Sequence, residues 1–199
     1  MINSKSKVLH ATLIILACIG ATSCEYDPAQ NTIEVATERK EQKIDKTDEK
    51  DAQFLIDAAE INREEISLGR LAQQKGNMSH VRELGKMMED EHSKSWATVT
   101  TLAKEKNISL PTSQTVYGLA AYVKLNEKSG NDFGKEYSDM MVSGHKDAIA
   151  LFEKAAINCT DTDIKSWAIV TLPTLKMHLD YALMCQKECV KIQTSLNKK

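Results

Sequence analysis

The sequence predicts an all-α protein, a four-helix bundle with one long crossover connection. Among 199 residues, only 8 are glycine and 3 are proline, and aromatic residues make up 5%. This composition is typical of helical proteins rather than of sheets. From Asp51 onward, apolar residues recur at helical spacing in four long segments. Short turns join the segments in two pairs, and a connection of roughly 24 residues between the pairs is long enough to run back along the bundle.

This spacing predicts the position of each element. Asp51 is expected to cap the first long helix. Pro111 should break the crossover, and Pro173 should kink the last helix because proline removes a backbone donor. The crossover return places the third long helix parallel to the second, which is the ferritin-like arrangement. The predicted elements are four long helices at about 51–75, 79–107, 132–157 and 161–192, with a short extra helix at about 114–128 in the crossover.

The N-terminus has the pattern of an export signal. Lys5 and Lys7 precede an apolar run that is too short for a membrane span of roughly 18 residues. The run ends in Ala21-Thr22-Ser23-Cys24, which resembles the lipobox of bacterial lipoproteins. That resemblance implies cleavage before Cys24 and a lipid anchor on its thiol. Cleavage before Cys18 and an ordinary signal without lipid are the alternatives.

The remaining chain divides by composition. Residues 1–23 form the signal peptide, residues 24–50 a charged flexible tether, residues 51–192 the ferritin-like domain, and residues 193–199 a disordered tail. Removal of the signal leaves 24 basic and 28 acidic residues, a net charge of −4. Because this implies no basic surface, nucleic acid is not expected as a partner. The membrane is an expected partner, through Cys24, and the sequence does not identify protein partners.

Each long helix places one ionisable residue on its apolar face when projected at about 100° per residue. Their depths along the bundle agree within about one helical turn, so we expect the four side chains to meet in one layer. Glu89 lies at the edge of the apolar face of the second helix. The four inward residues are Glu65, His92, His145 and His178.

A buried cluster of this kind has two interpretations. One Glu and three His suit a single Zn, Cu or Fe ion. The same groups can instead hydrogen-bond to one another and fix the register of the helices without metal. A di-iron site needs two E-x-x-H motifs and two further Glu residues. Only Glu89-x-x-His92 is present, so ferroxidase or oxygenase chemistry is not expected.

Sulfur-containing residues leave further alternatives. Met88 and Met141 stand one turn before His92 and His145, as Cu(I) ligands or as core fillers. Cys185 and Cys189 are one turn apart in the last helix, where disulfide geometry is hard to reach. They are interpreted mainly as small buried residues, with metal binding or redox chemistry as the alternative. Cys159 is too far from Cys185 to pair with it, and His80 is predicted to lie on the surface.

Five stretches follow one another along the chain: DAQFLIDAAEINREEISLGRLAQQK, VRELGKMMEDEHSK, ISLP, HKDAIALFEKAA and LPTLKMHLDYA. With them, about residues 51–188 resemble a bacterial ferritin-like family of unknown function, DUF4142, whose members are often described as exported or outer-membrane proteins. The resemblance implies a ferritin-like fold and recurrent polar positions at Glu65, His92, His145 and His178. Members often carry an acid directly before the second and third helix histidines. This chain has Glu91 but Gly144.

The sequence therefore predicts a lipid-anchored protein of the bacterial cell envelope, at the outer membrane facing the periplasm. Its helical domain is expected to have a binding or structural role rather than a catalytic one. The alternative is a mononuclear metal-binding protein, or a weak oxidoreductase, that uses the buried Glu/His cluster.

Overall fold

Five helices and the connections between them make up residues 46–196, the part of the chain that the computed structural model describes. No strand occurs in this range, so the prediction of an all-α fold is confirmed. The predicted signal peptide, Cys24 and the predicted tether up to residue 45 lie outside the described residues, as do residues 197–199. The helices are α1 (Lys46–Lys75), α2 (Ser79–Glu105), α3 (Val116–Asn126), α4 (Gly130–Asn158) and α5 (Thr162–Leu196).

The start of α1 differs from the prediction. The helix begins at Lys46, so residues 46–50 are helical and Asp51 is not its cap. Asp51 is buried, and its carboxylate accepts hydrogen bonds from the backbone N–H groups of Thr160 (3.1 Å) and Asp161 (2.7 Å). It therefore satisfies free donors just before α5. Local sequence shows that an Asp suits a cap but not which backbone donors its carboxylate will reach. At the other end, α5 continues through Pro173 and over residues 193–196.

The four long helices pack in two pairs, α1 with α2 and α4 with α5, and contacts of α1 with α4 and of α2 with α5 close the bundle. Gly134, near the start of α4, packs so tightly on the start of α2 that an added Cβ would lie 3.1 Å from Val81 Cγ2. Since both helices begin at the same end, they are parallel, as the crossover predicts. At the opposite end, Lys106 pairs with Asp161 and Asp163 at 2.7 Å.

Two glycines set the distance between α1 and α2. A Cβ at Gly69 would lie 2.6 Å from the carbonyl oxygen of Gly85, and a Cβ at Gly85 would lie 2.7 Å from that of Gly69. Any side chain here would force the backbones apart. Gly69 is one turn from Glu65, and Gly85 is two turns from His92. The close approach therefore helps to position the polar layer.

The core consists of two apolar clusters with polar residues between them. One cluster is built around Phe54, Phe152 and Trp167, and the other around Met88, Phe133 and Met141. In α2, α4 and α5, one buried histidine falls between residues of the two clusters: His92, His145 and His178. No helix within residues 46–196 has the length and apolarity that would let it span a membrane.

Candidate metal centre

Three histidines from three different helices converge at the middle of the bundle. Their side chains belong to residues that are 3% (His92), 1% (His145) and 1% (His178) exposed. The ring centroids form a nearly equilateral triangle with sides of 5.5, 5.4 and 5.3 Å. One possible ligand atom from each ring lies within 4.8 Å of the other two. The structure thus brings together three of the four inward residues that the sequence predicts.

The outer nitrogens of two rings are held by hydrogen-bond acceptors. His92 Nδ1 lies 2.9 Å from Asn62 Oδ1, while the Asn62 amide nitrogen donates to the Ala58 carbonyl at 2.8 Å. His145 Nδ1 lies 2.9 Å from the carbonyl oxygen of Met141. Because an amide or carbonyl oxygen can only accept, both Nδ1 atoms carry the proton. The Nε2 atom of each ring therefore presents a lone pair, which is the arrangement found around metal-bound histidines.

The protonation of the third ring, His178, follows from its hydrogen bond with His145. His145 Nε2 lies 3.3 Å from His178 Nδ1. Since Nε2 of His145 carries a lone pair, Nδ1 of His178 donates to it, which leaves a lone pair on His178 Nε2. Neither that atom nor His92 Nε2 has a hydrogen-bond partner within the described part of the chain. Buried polar atoms without partners are costly, so the cluster is not a closed hydrogen-bond network.

Burial keeps all three rings neutral at physiological pH, because it disfavours the charged form. It lowers the pKa of His92 well below the usual value, and His145 and His178 lower it further. Burial also lowers the pKa of His145. For His178, burial and then His145 lower the pKa to about 4, against a smaller opposing effect of the Glu91 carboxylate. Neutral imidazole is the form that binds a metal ion.

Glu65 lies in the same layer but behind one of the rings. Its Oε1 is 3.8 Å from His145 Nδ1, the protonated nitrogen that faces away from the other two histidines. Burial, and then the charge of Glu64, raise the pKa of Glu65 to about 8, so the carboxyl group is mostly protonated at neutral pH. The three-histidine group does not include it. The depth of Glu65 agrees with the sequence prediction, whereas the direction of its side chain could not be read from a helical projection.

A family model described as Domain of unknown function (DUF4142) matches residues 36–184. The chain belongs to this family. Searches of curated proteins and of solved structures found no match. The DUF4142 description assigns no activity, so what this member does has to be argued from its own geometry.

The glycine at position 144 of this DUF4142 protein has a local explanation. A Cβ there would lie 3.1 Å from Glu65 Oε1, so the absence of a side chain leaves room for the Glu65 carboxyl group. Glu91, which precedes His92, is half-buried, pairs with Lys94 at 2.6 Å and acts electrostatically on His178. Positions 91 and 144, directly before two of the histidines, therefore have different roles: Glu91 acts on His178, and Gly144 leaves space for Glu65.

Two residues near the three histidines, Glu89 and Asn62, have contacts that the sequence did not predict. Glu89 is bound to α1, where its two oxygens accept from Arg70 Nε and Gln73 Nε2 at 2.7 Å each, and it is outside the three-histidine group. Asn62 was missed, although it is 2% exposed and orients His92. A polar residue three positions before Glu65 on the apolar face was the available signal.

The distances fit a tetrahedral metal site. With metal–nitrogen bonds of about 2.0–2.1 Å, the edge between two ligand nitrogens is about 3.3–3.4 Å, and imidazole centroids lie about 5 Å apart. The centroid triangle of 5.3–5.5 Å is close to the second value, and the possible ligand nitrogens, which lie within 4.8 Å of one another, would move closer together to reach the first. Three nitrogen ligands suit Zn²⁺, Cu or Fe, whereas Ca²⁺ and Mg²⁺ require oxygen ligands. Met88 and Met141 belong to the buried apolar core.

Proposed function

We propose that this DUF4142 protein binds one divalent transition-metal ion, with Zn²⁺ as the first choice, through His92, His145 and His178. One observation carries the proposal. Three buried, neutral imidazoles offer ligand atoms within 4.8 Å of one another, while acceptors on the far side hold two of the rings. In this role the bundle is a metal-binding scaffold, and a fourth coordination position is left for water or a small ligand.

The structural alternative, a hydrogen-bonded network that only fixes helix register, has less support. A network serving that purpose should satisfy its own buried polar atoms. Here His92 Nε2, His178 Nε2 and Glu65 Oε2 have no partner within the described residues. A bound cation would use the imidazole lone pairs and would favour the ionised form of Glu65 beside His145. These unsatisfied atoms therefore favour metal binding over a purely structural role.

Elemental analysis of the purified full chain tests the proposal. After supplementation with Zn²⁺, Cu²⁺ or Fe²⁺ in turn, we expect the chain to retain about one equivalent more metal than the variant His92→Ala plus His145→Ala. Glu89→Gln is the matched control, since Glu89 is next to the layer but outside the three-histidine group; it should retain metal like the wild type. Equal metal content in wild type and double variant, or none in either, would overturn the proposal.

We also infer from the N-terminal sequence that the protein is exported and anchored by lipid at Cys24 in the cell envelope. The support is the sequence Ala21-Thr22-Ser23-Cys24 after a short apolar run. Fractionation and labelling with a radioactive fatty acid test this inference. Cys24→Ala should abolish labelling and release the protein from membranes, whereas Cys18→Ala should change neither. Membrane association and labelling that survive Cys24→Ala would refute the anchor.

A further inference from the structure

A second group of metal-ligating side chains lies at the end of the bundle where α2 and α4 begin and α5 approaches its end. His80, Cys185 and Cys189 each offer a ligand atom within 4.8 Å of the other two. Cys185 and Cys189 are 4% and 1% exposed, and His80 is half-buried. His80, predicted to lie on the surface, is half-buried and faces the two cysteines of α5. A projection of α2 alone could not show that the end of α5 reaches it.

The two cysteines are arranged to act together. They are four residues apart in α5, so their side chains lie on the same face of the helix. Both thiols are free, and disulfide geometry is hard to reach between positions i and i+4 of a regular helix. The Cys185 thiol donates toward the backbone carbonyl of His80 at 3.9 Å. This contact holds the start of α2 against α5 beside both sulfur atoms.

The distance between the imidazole and the nearer sulfur is that of two ligands on one ion. His80 Nε2 lies 3.6 Å from Cys189 Sγ. Zn–S bonds of about 2.3 Å and Zn–N bonds of about 2.0–2.1 Å give a nitrogen–sulfur edge of about 3.6 Å in a tetrahedral site. A site with two Cys and one His and an open fourth position is a known zinc arrangement.

The neighbouring residues leave space beside the sulfur atoms. A Cβ at Gly134 would lie 3.3 Å from Cys189 Sγ and 2.6 Å from the Met78 methyl carbon, so a side chain there would crowd both. The thioether side chain of Met78 thus borders the same spot as the Cys189 thiol. Sulfur ligands of this kind select soft or borderline cations.

We propose that His80, Cys185 and Cys189 form a second metal site, separate from the three-histidine centre, which takes a thiophilic d¹⁰ cation of the Zn²⁺ type. Binding replaces the two thiol protons, so that Zn²⁺, two Cys thiols and one neutral imidazole give a neutral zinc bis-thiolate complex and two released protons. The half-buried His80 places this site near solvent. The inference does not depend on the proposed function of the central histidines.

Titration of the reduced full chain with Co²⁺, a spectroscopic substitute for Zn²⁺, tests the site. Thiolate ligands give Co²⁺ an intense sulfur-to-metal charge-transfer band in the near ultraviolet, which a site made of histidines cannot produce. We expect this band in the wild type, and we expect Zn²⁺ to displace it. The variant Cys185→Ser plus Cys189→Ser should lose the band, and His80→Ala should weaken Co²⁺ binding at least about 10-fold.

Two controls separate this site from the rest of the chain. Cys159→Ser removes the buried cysteine beside Asp51, at the opposite end of the bundle, and should keep the band. The variant His92→Ala plus His145→Ala should also keep it, whether or not the central histidines bind metal. A folded wild type without the band would overturn the proposal even if a variant fails to fold. Persistence of the band in the double Cys variant would also overturn it.

Discussion

The central histidines and the end cluster offer a metal ion different surroundings. The central ligands come from three helices, are almost fully buried and stay neutral. The end cluster takes both sulfur atoms from α5 and includes a half-buried histidine. There, the neighbouring Cys185 thiol lowers the pKa of Cys189 against the opposing effect of burial, and His80 lowers it further.

Because the two sites connect different parts of the bundle, metal binding at each should stabilise the protein differently. An ion in the middle would connect α2, α4 and α5 between the two apolar clusters, so its binding free energy adds to that of the whole bundle. An ion at the end would tie only α2 to α5. The central site should therefore affect global unfolding more strongly, and the end site should affect local opening at one end.

The largest expected effect is on thermal unfolding. Zn²⁺ at about 100 times the dissociation constant stabilises a one-site protein by about 2.7 kcal/mol. For a domain of this size, that corresponds to a rise in Tm of about 5–10 °C. In the background Cys185→Ser plus Cys189→Ser, which isolates the centre, differential scanning calorimetry should show this rise. Adding His92→Ala and His145→Ala should abolish it, and an undiminished rise would place the ion elsewhere.

The next effect is on affinity at the centre alone. Asn62→Ala removes the acceptor of the His92 Nδ1 proton, so His92 is no longer held in one orientation and tautomer. Loss of such an outer partner costs about 10–100-fold in metal affinity. Competition with a chromogenic chelator should show this loss for Zn²⁺ at the centre. The thiolate band of the end cluster should be unchanged, and a parallel loss there would mean that Asn62→Ala disturbs the whole bundle.

A third effect is the dependence of metal-free stability on pH. The folded-state pKa of Glu65 is about 8 against an ordinary 4.5, so the folded state binds more protons in that range and stability falls as pH rises through it. The pKa of His178 is about 4 against 6.5, so stability is lost as pH falls through that range. His92 and His145, whose pKa values are also lowered, act in the same direction as His178.

The pH range of Glu65 (4.5 to 8) overlaps that of His178 (4 to 6.5), and in the overlap the three histidines together outweigh Glu65. Metal-free protein should therefore be most stable near pH 6.5, the upper end of the histidine range. Above it, Glu65 contributes a slope of up to about 1.4 kcal/mol per pH unit. Urea unfolding at several pH values should show this fall, and Glu65→Gln should flatten it. A fall of the same size in Glu65→Gln would show that another group is responsible.

The smallest effect concerns a residue beside the centre. Glu89→Gln weakens a partly exposed ion pair with Arg70, which is worth about 0–1 kcal/mol. Chemical denaturation should detect at most this change. Because Glu89 is bound to α1, its substitution should leave metal affinity at the centre unchanged. A large loss of metal affinity would show that Glu89 does contribute to the central site.

Helical periodicity was sufficient to predict the bundle and its histidine layer. A residue on the apolar face of a helix points into the bundle, so histidines at similar depths along different helices lie close together. Features that depend on contacts between helices could not be predicted in this way. Asp51 binds the backbone N–H groups just before α5 instead of capping α1, and His80 Nε2 lies 3.6 Å from Cys189 Sγ across two helix ends. Glu65 reaches the predicted layer but lies behind His145, since its direction depends on the space left by Gly144.

X-ray absorption at the zinc edge tests the central claim most directly. The sample is the full chain with Cys185→Ser and Cys189→Ser, loaded with one equivalent of Zn²⁺. The proposal predicts nitrogen and oxygen neighbours at about 2.0–2.1 Å, imidazole scattering from three rings and no sulfur neighbour at about 2.3 Å. Failure to retain zinc, or an unchanged spectrum after adding His92→Ala and His145→Ala, would contradict it.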